Sequence, residues 1–173
     1  IKAETPAIPP PLLYDLTELQ RHANRLYGMS AQKTLDVAQS LYERHKLISY
    51  PRTDSRHLSA AVAATLPDVA RAVGGRYPGL LAPGTGTRPL GRRFVDDARV
   101  TDHHAILPTA RSADSSALTA LEQKIYDLIC RRLLTAWHED HVYSSTTVVT
   151  TVTSEGEPAI VDHYESRGTA IQK

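Results

Sequence analysis

Between residues 15 and 45 apolar positions recur every three to four residues, then the rhythm breaks, and it returns after residue 119. Leu16, Leu19, Ala23 and Leu26 share one face of a predicted helix. Asp15 opens it with Glu18 three residues on, in capping-box register, and Gly28 stands where a C′ glycine belongs. Ser30 caps a second predicted helix running to about His45, with Leu35, Ala38, Leu41 and Tyr42 facing inward. The pair reads as a helical hairpin with a very short turn. A third helix, SAAVAATLPDVARAV from Ser59, is expected to break or kink near Pro67 and to finish at Gly74-Gly75. The clearest comes last: Thr119 and Glu122 form a capping box, and Leu121, Ile125, Leu128, Ile129, Leu133 and Trp137 trace one stripe.

Outside these stretches the pattern changes character. Residues 1–13, IKAETPAIPPPLL, are proline-rich and hold at most an edge strand and an extended connector. Leu47 to Tyr50 is too short for a helix, and Pro51 pushes the Tyr50 backbone towards an extended conformation. From Gly74 to about Arg93 no period is usable, and a structureless loop of that length is usually functional or mobile. After His141, VYSSTTVVTTVT is β-branched nearly throughout, SEGEP is a turn, and AIVDHYES is a returning strand. A helical module flanked by the edges of a β-rich one is the outcome.

Composition narrows the possibilities without choosing among them. At 173 residues the chain suits one domain, or one domain with pieces of another. The net charge of +1 does not announce a nucleic-acid binder, so any DNA affinity must come from local clusters of Arg and Lys. One cysteine, Cys130, excludes an internal disulfide and a Cys-based zinc ribbon, and reads as a structural thiol on a helix. With neither a signal peptide nor an apolar span of about 18 residues, a soluble intracellular protein is expected. The start at Ile1 and the ending GTAIQK suggest an excised piece of a longer chain.

The chemistry concentrates in KLISYPRTDSRHLS, residues 46–59, where one phenol is crowded by cations and hydroxyls. A free phenol titrates near 10, so about 0.2% is ionised at about pH 7.3. To attack phosphorus it needs a base or a lowered pKa, and positive charge where the phosphoryl oxygens gain negative charge. Arg52 stands two residues from Tyr50, on the same side of an extended stretch, with a fork that fits phosphate bidentately. Asp54 could orient Arg52 or Arg56, while Thr53 and Ser55 could donate to phosphate or cap the next helix. On spacing alone a half-buried packing tyrosine at a strand end remains the commoner reading.

LISYPRTDSRHL resembles the active-site segment of type IA DNA topoisomerases, and TDHHAILPT resembles the family's second motif, in the same order. Residues 9–43, from PPPLLYDL to QSLYE, are similar to the helical entry of that domain. Pro51 and the double histidine lean towards the topoisomerase III branch. The resemblance implies a mainly α fold, α+β overall. It would be an orthogonal helical bundle over 14–141 carrying the catalytic tyrosine, flanked by strands of a truncated β-rich hinge domain at 1–13 and 142–173. It implies that Tyr50 takes a DNA strand as a 5′-phosphotyrosine and that Arg52 holds the scissile phosphate. His103 would stabilise phosphate or handle a proton, with Lys46, Thr53, Asp54, Ser55, Arg56 and His104 supporting or binding DNA. The bond energy is conserved in such a link, so no ATP is needed, and no GxxxxGK[ST] motif occurs. It further implies single-stranded DNA as partner, Mg2+ bound by a Toprim domain outside this chain, no cofactor or metal held here, and a cytoplasmic, nucleoid-associated enzyme. The module would swing from its partner domains to open a gate.

Three rivals stand beside this. Asp102-His103-His104 spells the DHH triplet of a metal phosphoesterase, without the further aspartate motifs of a bimetal site. Tyrosine recombinases and type IB topoisomerases place their tyrosine after the arginine–histidine set, the reverse of the order here. A helical DNA-binding module without chemistry would use Arg44, Lys46, Arg52 and Arg56 for phosphate contacts. Arg92, Arg93 and Arg99 could line a DNA path, though solvated loop charges are the commoner reading, and Trp137 is expected to be core rather than a base-stacking platform.

Overall fold

The computed structural model describes residues 1–156 and 158–171, and for Ser115 the backbone alone. Glu157 in the predicted turn, and Gln172 and Lys173 at the end of the expected hinge-domain segment 142–173, lie outside the described residues. The chain divides into two units, Ile1–Pro10 with Glu139–Lys173, and Pro11–His138.

The first unit is an antiparallel sheet made from both chain ends. Strands β1 (Lys2–Glu4) and β2 (Ala7–Ile8) pair in turn with β3 (His141–Thr153), and β4 (Val161–Ile171) pairs with β3 along its length. Registers are Ala3 to Thr146, Ala7 to Val142 and Thr150 to Tyr164. Thr5 and Pro6 separate the two short strands, and Pro6, with no N–H to give to a ladder, suits a break at a sheet edge.

The second unit holds five α-helices. Helix α1 (Leu16–Tyr27) begins where the Asp15 side chain accepts the Glu18 N–H at 2.6 Å, and ends at Gly28, whose φ of 65° returns its N–H to the Asn24 carbonyl. Helix α2 (Ala31–Glu43) is capped by Ser30. Thr65 and Pro67 split the third predicted helix into α3 (Ala60–Ala63) and α4 (Leu66–Gly74), because a proline near N1 starts a helix better than it continues one. Helix α5 (Ala120–Thr135) carries both halves of the Thr119–Glu122 capping box. Among the described residues five helices and a four-stranded antiparallel sheet make up the chain, which agrees with the α+β class expected overall.

Helix α5 serves two cores. Ile125 and Ile129 pack with Leu19, Ala38, Leu41, Ile48 and Ile106, while Leu133 packs with Leu58, Phe94, Leu107 and Trp137. The segment 105–107 alternates between them, Ala105 and Leu107 in one and Ile106 in the other, which is the two-residue period of extended chain. Leu26 departs from its expected inward place and is half exposed, while Tyr27 packs on the core. The stretch from Gly74 to Arg93 is held rather than loose. Pro78–Leu80 form a 3₁₀ turn, and Arg88 donates to the Trp137 carbonyl while the Trp137 indole donates to the Arg88 carbonyl. Trp137 is core, as expected.

Candidate active site

The tyrosine segment and the histidine segment, about fifty residues apart in sequence, are sewn together by small hydroxyls. Ser49 N–H donates to Leu107 at 2.8 Å, Leu107 N–H donates to Ser49 Oγ at 2.9 Å, and Ser49 Oγ also reaches the Ala105 carbonyl at 3.3 Å. Thr109 donates its N–H to Leu47 at 2.9 Å and its hydroxyl to the Lys46 carbonyl at 2.8 Å. Thr53 Oγ1 donates to the His103 carbonyl at 3.1 Å, and Ala105 N–H to the His57 carbonyl at 2.9 Å. Side chains thus satisfy backbone groups that a longer ladder would otherwise pair. The entry segment lies against both: Ile106 N–H donates to Tyr14, and Leu16 N–H to Thr53.

Tyr50 falls between the stitches. It is half-buried, its ring centroid 4.4 Å from that of His103 at 44° and 5.5 Å from that of Tyr42 at 77°. Among the described residues neither its backbone nor its hydroxyl is hydrogen-bonded. The oxygen is therefore available to an incoming group. Lys46 is exposed, sits at φ 57° and holds its Nζ 5.6 Å from the Tyr42 ring centroid.

The other expected site residues divide into those left open and those used by the fold. Arg52, Asp54 and His103 are exposed, and Arg52 has no hydrogen bond or ion pair among the described residues. The expected orienting pair does not form: Asp54 pairs with neither Arg52 nor Arg56. Arg56 instead donates to the Leu13 carbonyl at 3.0 Å and the Leu12 carbonyl at 3.3 Å, so its guanidinium anchors the entry segment. Thr53 and Ser55 are buried, with Ser55 Oγ on the Arg99 carbonyl at 2.9 Å, which makes them framework rather than donors to a phosphate at the surface. His104 Nδ1 donates to the Ala105 carbonyl at 2.7 Å and points its ring back along its own chain.

At the entry segment, Arg132 donates to the Leu12 carbonyl at 2.7 Å and lies 3.9 Å over the Tyr14 ring, whose hydroxyl donates to His22 Nδ1. Burial pushes the Tyr14 hydroxyl up, and burial together with Arg132 holds the His22 imidazole below its ordinary value. Both shifts favour the neutral form. Burial and Arg99 likewise lower His57.

Among the described residues no group of three or more His, Cys, Asp or Glu converges as a ligand set, Asp102-His103-His104 included. A DHH-type bimetal site therefore lacks its ligands here.

Three contributors escape sequence reading. Tyr42 reads as an inward helix position, and only its place in the last turn of α2 hints that it reaches the site. Ser49 and Thr109 are the polar residues closing two short apolar runs, a weak signal for stitching.

A family model described as DNA topoisomerase matches residues 1–167. A DNA topoisomerase 3 of Bacillus anthracis is 47% identical over 148 residues, covering 84% of this chain and 20% of its own length. That of Bacillus subtilis (strain 168) is 41% identical over 160 residues, covering 91% of this chain and 22% of its own. The chain spans about a fifth of the length of these relatives. The full-length topoisomerase I structure from Thermotoga maritima superposes with a TM-score of 0.60 at 22% identity, over 99% of this chain and 27% of that one, a likeness of fold.

Proposed function

The chain belongs to the DNA topoisomerase family, of the type IA, topoisomerase III-like kind, and from that premise we propose that Tyr50 is the nucleophile of a reversible single-strand break. Its phenolic oxygen attacks a phosphodiester of single-stranded DNA, forming a P–O bond to tyrosine and releasing the 3′ oxygen, which gains a proton. The strand's 5′ end is left on Tyr50, another strand passes, and reversal of the step reseals the break without ATP. Arg52 offsets the charge gathering on the phosphoryl oxygens, and His103 stabilises the phosphate or handles the proton. Lys46 and Asp54 support the bound strand.

The observation that carries this reading is a half-exposed tyrosine, its hydroxyl free of protein partners, set against the histidine of the second motif. An unpaired Arg52 two residues away suits a cation kept for a ligand. Magnesium chemistry would come from a Toprim domain of the intact protein. With DNA as substrate, the proposed location is the cytoplasm, on the nucleoid; among the described residues no helix is long and apolar enough to cross a membrane. The chain alone is expected to form little covalent adduct with single-stranded DNA and Mg2+ on a denaturing gel.

The test is Tyr50→Phe in the full-length protein. Binding of single-stranded DNA should persist, while the covalent adduct and DNA relaxation fall to background. Unchanged relaxation would remove the nucleophile and leave a DNA-binding module, a reading favoured otherwise only by exposed cations such as Arg44, Lys46 and Arg52.

A further inference from the structure

Resting on that reading, we infer that Tyr42 is the positioning residue that fixes the Tyr50 ring for attack. Tyr50 needs such a device because no hydrogen bond restrains it: among the described residues its backbone and hydroxyl make none. Two rings border it, those of Tyr42 and His103. His103 is exposed and sits on a bend outside any helix or strand, its backbone tied there through the Thr53 hydroxyl on its carbonyl. Tyr42 stands on the last turn of α2, directly after Leu41 and four residues past Ala38, both wholly buried. The rigid member of the trio is therefore Tyr42. Its contact with Tyr50, 5.5 Å between centroids at 77°, is the edge-to-face arrangement that aromatic quadrupoles favour. Lys46 bears on the same ring at 5.6 Å, from a turn tied down by Thr109. A helix, a ring and a stitched turn thus set where the phenolic oxygen lies, and in-line attack tolerates little error in that place.

Full-length Tyr42→Met, which keeps apolar bulk but removes the ring, is compared with Tyr42→Phe and with Tyr50→Phe. Single-turnover cleavage should slow by about ten- to a hundredfold in Tyr42→Met, with single-stranded DNA affinity unchanged. Tyr42→Phe should cleave within about twofold of wild type, because the ring and not the hydroxyl makes the contact. A normal cleavage rate in Tyr42→Met beside a dead Tyr50→Phe overturns the positioning role and spares the nucleophile. An active Tyr50→Phe overturns the nucleophile itself. Lost affinity with normal cleavage of bound DNA makes Tyr42 a DNA contact and rejects the proposal. Should Tyr42→Met not fold, the wild-type Tyr50 ring resonances decide: ring-current shifts are expected, and random-coil values reject the contact.

Discussion

Lys46 shows how a single residue can favour the site at the expense of the fold. Its φ of 57° is left-handed, a conformation costing a non-glycine residue about 1–2 kcal/mol. The turn requires it: Leu47 N–H returns to the Leu41 carbonyl at 2.9 Å, and the Lys46 carbonyl faces out to the Thr109 hydroxyl. Glycine would meet the same backbone demand without strain, yet it would leave no cation beside Tyr42. Lys46→Gly should therefore raise unfolding free energy by up to about 1 kcal/mol, part of the relief being offset by a freer unfolded chain. In the full-length protein it should also weaken single-stranded DNA binding and flatten its salt slope by about 0.7. Denaturant titration and binding at several salt concentrations separate the two effects. Lower stability with unchanged DNA binding would mean that the lysine serves the turn alone.

Among the elements, α5 depends most on one side chain. Glu122 accepts from Thr119 and from Ser40 at 2.7 Å, with His45 at 3.2 Å, so it caps α5 and ties it to the end of α2. Burial alone would push its carboxyl up, but the bonds from Ser40 and Thr119 and the charge of His45 outweigh that and hold it at about 2. A carboxyl lowered on folding stabilises above its unfolded value, near 4.5, and the gain is lost as pH falls towards 2. Glu122→Gln should cost on the order of 3 kcal/mol at neutral pH, the gap to wild type closing between about pH 5 and pH 2. A gap constant across that window would place the cap's strength outside the carboxylate charge. This element was legible because caps and periodicity are local: Thr119, Glu122 and the stripe from Ile125 to Leu133 lie in one sequence window. Leu26 was misread because a helical period gives the direction of the apolar face and not its width, and Tyr27 took the boundary position. The order in residues 74–93 was invisible for a different reason. Arg88 and Trp137 trade bonds with each other's carbonyls across 49 residues, and no local pattern encodes backbone partners that distant. The same holds at the site, where two motifs flagged Tyr50 and His103 but gave no sign that Ser49, Thr53 and Thr109 hold them together.

At the scale of the molecule the two units differ in what they bury. Residues 11–138 enclose two cores spanned by one helix, whereas every described position of β4 is exposed, including Val161, Tyr164 and Ile171. Along β3, Val149 and Val152 are exposed as well. A long two-stranded ribbon whose apolar side chains meet water gains little from burial to set against the entropy of ordering it. Its cross-strand bonds should therefore open locally at far lower free energy than the helices. Native-state hydrogen exchange reads this directly. Amides of α2 and α5 should exchange near the rate of global unfolding, while those of Val148–Thr153 and Val161–Ser166 exchange at least about a hundredfold faster. Ser145, Thr146 and Thr147, flanked by β1 as well as β4, should fall between, because a strand paired on both edges opens only when both ladders part. Uniform protection across sheet and helices would show a cooperative fold in which the ribbon borrows stability from the bundle, and the division into two units would lose its energetic meaning.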